Sequence, residues 1–259
     1  MSFSQIKVKV VNQIGMIQMN RPDIRNPLTP DLKKELLTAL RDLDQNEEAK
    51  VIILIGAERA FCAGGDLSSL RDLDAHTGRK RMQKSHELVR TFLQMEKPII
   101  AAVNGAAAGA GFSLALLCDL IISAKSAFFV QSFVKIGAVP DLGVVHFLTN
   151  VIGPHRAKEL MLLGDRVTAE QAYRLGFVNQ VVDDDDLLDQ TFAVATKLVK
   201  SPSISIGLTK AMVNKNRNDD LEKLLAMESF AQGICFQTSD FREGIQAFFE
   251  KRAPVFKGQ

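Results

Sequence analysis

Two apolar runs in the first half of the chain each lead directly into a segment of small residues. Val51 to Ile55 is followed by GAERAFCAGGDL, and Ile99 to Val103 is followed by NGAAAGAGFSLALLCDL. Short aliphatic runs of this kind are typical of buried strands, and the second small-residue segment continues into a helical pattern. In open α/β sheets, ligands collect at the carboxyl ends of the strands. The sequence therefore predicts an α/β fold with a binding site at these two turns.

The second small-residue segment, at residues 105–120, places residues with very small side chains at the start of a predicted helix. Small residues allow a ligand to approach the main chain, and a helix N-terminus presents free N–H groups that favour negative charge. A P-loop would need Gly-Lys-Ser/Thr and a dinucleotide fingerprint would need Gly at position 114, which is Leu. The ligand is therefore expected to be anionic or to become so during a reaction, although tight packing of a buried helix is an equally open interpretation.

The remaining patterns predict a hairpin around Gly15, one long amphipathic helix before the first buried strand and another after it, and a largely helical C-terminal half. The hairpin pairs residues 6–11 with 16–19, and the two long helices cover 30–43 and 69–95. After Gly153-Pro154 nearly every pattern is helical, at 155–163, 168–175, 185–200, 203–214 and 221–249. We expect one core at residues 1–195 and a helical C-terminal region at 196–259.

Composition excludes several function classes. The chain has 259 residues, 46% of them hydrophobic, a net charge of +2 and three cysteines. A net charge this close to zero does not indicate a nucleic-acid-binding surface, and the cysteines form no C-x-x-C pair that would indicate a structural metal. The apolar runs are too short to span a bilayer and none resembles a signal peptide. We expect a cytoplasmic protein without metal, nucleic-acid or membrane partners.

Six segments together resemble the enoyl-CoA hydratase/isomerase, or crotonase, superfamily. They are NRPDIRNPLT (20–29), AFCAGGDL (60–67), KPIIAAVNGAAAGAGFSLALLCDL (97–120), KIGAVPDLG (135–143), LMLLGDRVTAEQAYRLGFVNQVV (160–182) and DFREGIQAFFEKRAPVFKG (240–258). The resemblance implies a ClpP-like spiral of ββα units, with the helical region serving trimerisation in a homotrimer or a dimer of trimers. It also implies an acyl-CoA thioester substrate and no cofactor beyond the CoA that the substrate carries.

The resemblance assigns the two turns a catalytic role. The backbone N–H groups of Gly65 and Ala110 would bind the thioester carbonyl oxygen in an oxyanion hole. Removal of a proton from an acyl thioester produces an enolate, and two preorganised donors stabilise its negative oxygen. The ligand expected at these backbone N–H groups is thus a carbonyl that becomes an enolate.

The position of the acid or base is where members of the superfamily differ. Hydratases of the family carry two Glu residues, and the corresponding positions here are Ser113 and Phe133. A single carboxylate, Asp141, instead follows the proline of KIGAVPDLG, as in the family's double-bond isomerases and in the phenylacetate-pathway type that acts on ring-epoxide CoA thioesters. One carboxylate is sufficient for a proton shift, and an apolar setting should raise its pKa.

Alternatives remain open for this site. Asp141 could be an ordinary turn residue. The protein could also be an enoyl-CoA hydratase of fatty-acid oxidation or a non-catalytic CoA-binding scaffold. The superfamily's dehalogenases use a Trp partner, and this chain has no Trp.

Further residues are assigned to substrate binding by the same resemblance. Arg25 is expected to contact a phosphate of CoA, and Lys251 is expected to reach the CoA of a neighbouring subunit. Asp66 is expected to order the first turn through hydrogen bonds to its own backbone. The complete set is Asp23, Ile24, Arg25, Ala63, Asp66, Leu67, Phe133, Phe248 and Lys251.

Overall fold

A computed structural model of the chain describes residues 3–70, 74–217 and 221–256. The strands are β1 (Ile6–Val11), β2 (Ile14–Met19), β3 (Val51–Gly56), β4 (Ala60–Cys62), β5 (Ile99–Val103), β6 (Ala106–Ala108), β7 (Leu120–Ala124), β8 (Phe128–Val130), β9 (Arg166–Thr168) and β10 (Gln180–Val182). The helices are α1 (Pro30–Gln45), α2 (Ala75–Gln94), α3 (Ala110–Leu117), α4 (Val144–Leu163), α5 (Ala169–Leu175), α6 (Leu187–Val199), α7 (Ser203–Arg217), α8 (Leu221–Cys235) and α9 (Ser239–Glu250).

The strands form two sheets that the chain visits alternately. The larger sheet has the order β1-β2-β3-β5-β7-β10, and the smaller has the order β4-β6-β8-β9. Each of the pairs β3/β4, β5/β6 and β7/β8 therefore sends its first strand to the larger sheet and its second to the smaller one. Neighbouring strands from successive pairs are parallel in both sheets. This repetition confirms the expected α/β architecture of strand pairs and helices.

The hairpin is confirmed, but its turn lies at Asn12 and Gln13 rather than around Gly15. Both turn residues have positive φ angles, 52° and 65°, as a two-residue hairpin turn of the primed type requires. Gly15 lies inside β2 opposite Val10. A Cβ at Gly15 would lie 2.8 Å from Leu43 Cδ2, so the glycine allows α1 to pack against the strand.

The first long helix agrees closely with its prediction, whereas two other predicted helices have different bounds. The structure begins α2 at Ala75, where Asp74 and Thr77 form a capping box, and a 3-10 turn covers Leu67–Leu70. Residues 71–73 of the expected helix 69–95 lie outside the described part of the chain. The expected helix 221–249 is two helices, because Thr238 caps a new N-terminus by accepting a hydrogen bond from Phe241 N–H at 3.0 Å.

The expectation of a nearly all-helical chain after Pro154 is wrong at two places. Strand β9 pairs with β8 in the smaller sheet, and β10 pairs with β7 in the larger one. Both strands have three residues, too few for a periodic pattern to distinguish them from helix. The helix expected at 155–163 is the second part of α4, which has non-helical angles at Gly153.

No helix in the described ranges has both the length and the hydrophobicity that a bilayer crossing requires. The division into 1–195 and 196–259 stays a prediction. Its boundary falls inside α6, which packs on β3, β5 and β7 of the larger sheet.

Candidate active site

Three consecutive strands of the smaller sheet place the candidate site. Strands β4, β6 and β8 are parallel neighbours, so their carboxyl ends lie at one edge. The AGGD turn follows β4, the start of α3 follows β6, and the segment that leads to Asp141 follows β8. Segments separated by dozens of residues in sequence are therefore adjacent in the fold.

The AGGD turn lies close to the segment that opens α3. Gly64 has a φ of 106°, and a Cβ there would be 2.8 Å from the carbonyl oxygen of Ala108 and 3.8 Å from Ala110 N. Only glycine permits both this angle and this close approach. On the other side, Leu28 N–H donates to the Gly64 carbonyl at 2.7 Å. The turn is thus held between residue 28 and the second predicted donor.

The second donor is set by close packing of α3. Ala110 is the first residue of the helix, so its N–H has no intrahelical acceptor. A Cβ at Gly111 would lie 2.2 Å from the Cys62 carbonyl oxygen, which shows how tightly α3 packs on β4. The small-residue pattern therefore serves both interpretations that the sequence left open, tight packing and an accessible helix N-terminus.

The two positions that correspond to hydratase glutamates have no carboxylate. Ser113 is fully buried, and its hydroxyl donates to the Gly109 carbonyl at 3.3 Å, as expected for a helical serine. Phe133 is 8% exposed and lines the cavity described below.

Asp141 lies in a turn with unusual backbone angles and has one orphaned carboxylate oxygen. Leu142 and Gly143 follow it with φ values of 55° and 72°, and the left-handed conformation costs a non-glycine residue about 1–2 kcal/mol. Asp141 Oδ1 is buried and has no hydrogen-bond partner in the described part of the chain. Burial, then the nearby Glu228 carboxylate, raises the pKa of Asp141 to about 7, against the opposing effects of Lys33 and Arg81. The expected increase in pKa is confirmed.

A cavity of about 740 Å³ joins these segments. Most of the predicted catalytic and binding residues line it: Ile24, Ala63, Gly65, Asp66, Leu67, Ala110, Phe133, Asp141 and Phe248. Asp66 orders its turn as expected, since its Oδ1 accepts hydrogen bonds from Ser68 N–H at 3.1 Å and from the Ser68 hydroxyl at 2.6 Å.

Three of the predicted binding residues do not line this cavity. Asp23 is exposed and pairs with Arg21 at 3.2 Å. Arg25 is exposed, and its carbonyl accepts a hydrogen bond from Ala63 N–H at 3.0 Å, so its backbone supports the first turn. Lys251 is exposed at the C-terminal end of α9. Their roles toward CoA stay predictions.

Two of the cationic side chains that line the cavity, Lys33 and Arg81, act on Asp141 and were not predicted from the sequence. Lys33 Nζ donates to Ser85 Oγ at 2.9 Å, and an Arg81 guanidinium N–H donates to Ser69 Oγ at 2.8 Å. Burial, with Arg81 as the next cause, lowers the pKa of Lys33 to about 8, while Asp141 and Asp66 oppose the change. No sequence signal distinguishes Lys33 from Lys34, because the hydrophobic pattern of α1 predicts that both lie on its polar face.

Glu228 and His86 form a buried pair behind Asp141. Both side chains are 3% exposed, and His86 Nε2 lies 3.0 Å from Glu228 Oε1. The Glu228 oxygens also accept hydrogen bonds from Leu142 N–H at 3.0 Å and Gly143 N–H at 2.9 Å. A single charged residue inside the otherwise uncharged stretch LLAMESFAQGIC was the available signal for Glu228.

Known proteins share both the sequence pattern and the architecture. Residues 9–259 match the family described as Enoyl-CoA hydratase/isomerase. The 1,2-epoxyphenylacetyl-CoA isomerase of Escherichia coli (strain K12) is 38% identical over 248 residues, 94% of each chain. A probable enoyl-CoA hydratase of Rhodobacter capsulatus is 36% identical over 100% of each chain.

A solved structure extends the likeness to the whole fold. The crystal structure of an enoyl-CoA hydratase from Mycobacterium avium subsp. paratuberculosis K-10 superposes with a TM-score of 0.90 at 29% identity, covering 99% of this chain and 100% of its own. The alternating strand pairs, the two adjacent turns and the full-length match together lead to one assignment. The chain belongs to the enoyl-CoA hydratase/isomerase family and has the crotonase fold.

Proposed function

We propose that this chain is an acyl-CoA isomerase in which Asp141 transfers one proton while the N–H groups of Gly65 and Ala110 bind the thioester oxygen. The observation that carries the proposal is the environment of Asp141: its Oδ1 is buried without a hydrogen-bond partner in the described part of the chain, and the residue lines the same cavity as both turns. A carboxylate with a pKa of about 7 is well suited to accept a proton and return it near neutral pH.

The proposed reaction involves only the acyl group of the substrate and one carboxylate, which moves a proton from one carbon to another. With a 3-enoyl thioester, Asp141 removes a proton from C2, and the C–H electron pair delocalises into the carbonyl and the C3–C4 double bond. The two N–H donors stabilise the dienolate oxygen, an interaction worth about 3 kcal/mol for each donor. Asp141 then returns the proton to C4, which leaves the double bond at C2–C3. The proton that is removed is returned to the same acyl group and CoA is unchanged. The step therefore requires no separate cofactor.

Ring-1,2-epoxyphenylacetyl-CoA is the second substrate class in this proposal. Its C2 proton is also adjacent to the thioester carbonyl, so Asp141 and the same two donors would generate the enolate that precedes isomerisation. The 38% identical relative named as an isomerase of this thioester supports the class.

Hydration is the alternative activity, and relatives named as hydratases give it weight. Water addition needs one group to activate water and one to handle the α-proton. Asp66, the other carboxylate that lines the cavity, accepts hydrogen bonds from Ser68, and Glu228, which acts on Asp141, accepts them from the backbone of residues 142 and 143. These contacts favour isomerisation over hydration.

The proposal is tested with 3-hexenoyl-CoA, ring-1,2-epoxyphenylacetyl-CoA and crotonyl-CoA. Asp141→Asn preserves shape but removes the base, so kcat for isomerisation should fall by about 10²–10⁴-fold with KM little changed. Asp42→Asn, an exposed substitution on α1, is the matched control. Full activity in Asp141→Asn, or rapid hydration of crotonyl-CoA by the wild type, would contradict isomerase function. Binding of CoA thioesters without any turnover would favour a scaffold.

A further inference from the structure

Helix α8 holds the segment that carries Asp141 from both sides. Upstream, the Gln232 side chain accepts a hydrogen bond from Val139 N–H at 3.2 Å and donates to the Val139 carbonyl at 3.1 Å. Downstream, Glu228 accepts from Leu142 N–H at 3.0 Å and from Gly143 N–H at 2.9 Å. Residues 228 and 232 are one turn apart on the same face of the helix.

The backbone after Asp141 needs such support. Leu142 and Gly143 both have positive φ angles, and Gly143 caps the N-terminus of α4. A carboxylate is favoured at a helix N-terminus because free N–H groups and the helix dipole both attract negative charge. The two Glu228 oxygens bind the N–H groups of the two residues just before α4, and Oε1 also contacts His86 Nε2 of α2.

We propose that Glu228 is a positioning residue of the active site: its carboxylate fixes the backbone of residues 142 and 143, and with it the turn that carries Asp141 to the cavity. This inference rests on the proposed function, in which Asp141 is the base. Glu228 itself does not contact substrate in this scheme, since both of its oxygens are occupied by backbone N–H groups.

The charges around Asp141 determine in which direction its pKa should change when Glu228 is replaced. Glu228 from α8 raises the pKa of Asp141, whereas Lys33 from α1 and Arg81 from α2 lower it. Asp66, from the first turn, acts on both cations, and His86 faces Glu228. Because Asp141 must be ionised to accept a proton, activity increases as pH increases through its pKa. Removal of the Glu228 charge should therefore move that increase to lower pH.

Two substitutions separate charge from geometry. Glu228→Gln keeps the size of the side chain but removes its charge and leaves one acceptor oxygen for two backbone N–H groups. We therefore expect the acidic limb of the pH profile to move to lower pH and the kcat reached above that limb to fall about tenfold. Glu228→Asp keeps the charge but withdraws the carboxylate from the turn, so kcat should also fall about tenfold while the limb stays in place. KM should change little in both variants, because neither touches a predicted CoA contact.

The matched control is Glu222→Gln on the same helix, where the exposed carboxylate pairs with Arg90 at 2.6 Å. It should behave as wild type. If Glu228→Gln does not fold, as judged by circular dichroism, Glu228→Asp decides the question. Wild-type kcat in Glu228→Asp, or a reduced kcat in Glu228→Gln with an unmoved limb, would overturn the inference. Failure of the proposed function is distinguishable, because Asp141→Asn would then remain active.

Discussion

Lys33 brings a positive charge into the cavity that holds Asp141, and this charge favours the ionised carboxylate. In Lys33→Met the pKa of Asp141 should increase, because burial and Glu228 would then be opposed by Arg81 alone. The base would be protonated over a wider pH range, so the acidic limb of kcat/KM should move to higher pH, opposite to the effect of Glu228→Gln.

The measurement is a pH profile of isomerisation for the wild type, Lys33→Met and Lys34→Met. Lys34 is the adjacent exposed lysine on α1, and its substitution should leave the limb where it is. A limb in Lys33→Met that stays in place or moves to lower pH would show that the Lys33 charge does not act on the catalytic base.

In the proposed mechanism, helix α3 contributes to the site through its first backbone N–H rather than through a side chain. Proline is tolerated at the first position of a helix, where its missing N–H has no intrahelical role. Ala110→Pro should therefore keep the fold and delete one oxyanion donor, which lowers kcat by about 10²–10³-fold.

The control for this prediction is Ala75→Pro, the same substitution at the first residue of α2, which should keep its activity. Circular dichroism and thermal unfolding would establish that both variants are folded. Wild-type kcat in a folded Ala110→Pro protein would exclude this N–H as a donor to the thioester oxygen.

Helices α7 and α8 each leave large apolar side chains uncovered in a single chain. Side chains spaced by three or four residues on α7 and α8 are exposed, namely Ile204, Leu208, Met212, Met227, Phe230 and Ile234. Large exposed apolar surface is typical of interfaces between proteins. We expect a homotrimer or a dimer of trimers, as the family resemblance implies, with this surface buried between subunits.

Light scattering after size-exclusion chromatography checks the assembly. The double variant Leu208→Glu, Ile234→Glu places two charges on this surface and should reduce the measured mass toward that of one chain. Gln190→Glu, an exposed change on α6, should leave the mass unchanged. A wild-type protein that is monomeric at micromolar concentration would contradict the prediction.

Local sequence was sufficient for the elements whose signals are short-range. The buried strands β3 and β5, the amphipathic helix α1 and the small-residue turns at Gly65 and Ala110 all follow from periodicity or from glycine and alanine spacing. The motifs then identified the family and directed attention to Asp141. Three-residue strands such as β9 and β10 were missed, because their length is too short to carry a period and only pairing with the sheets forms them.

The environment of Asp141 was decided by tertiary structure alone. Lys33, Arg81 and Glu228 belong to α1, α2 and α8, and no pattern in the sequence relates them to residue 141. Long-range contacts of this kind arise from helix packing around the cavity, whereas periodicity reports only which face of an element is buried. The sequence by itself therefore determined the fold class and the chemical group at position 141. The tertiary structure determined the pKa of that group, because burial and neighbouring charges exist only in the folded chain.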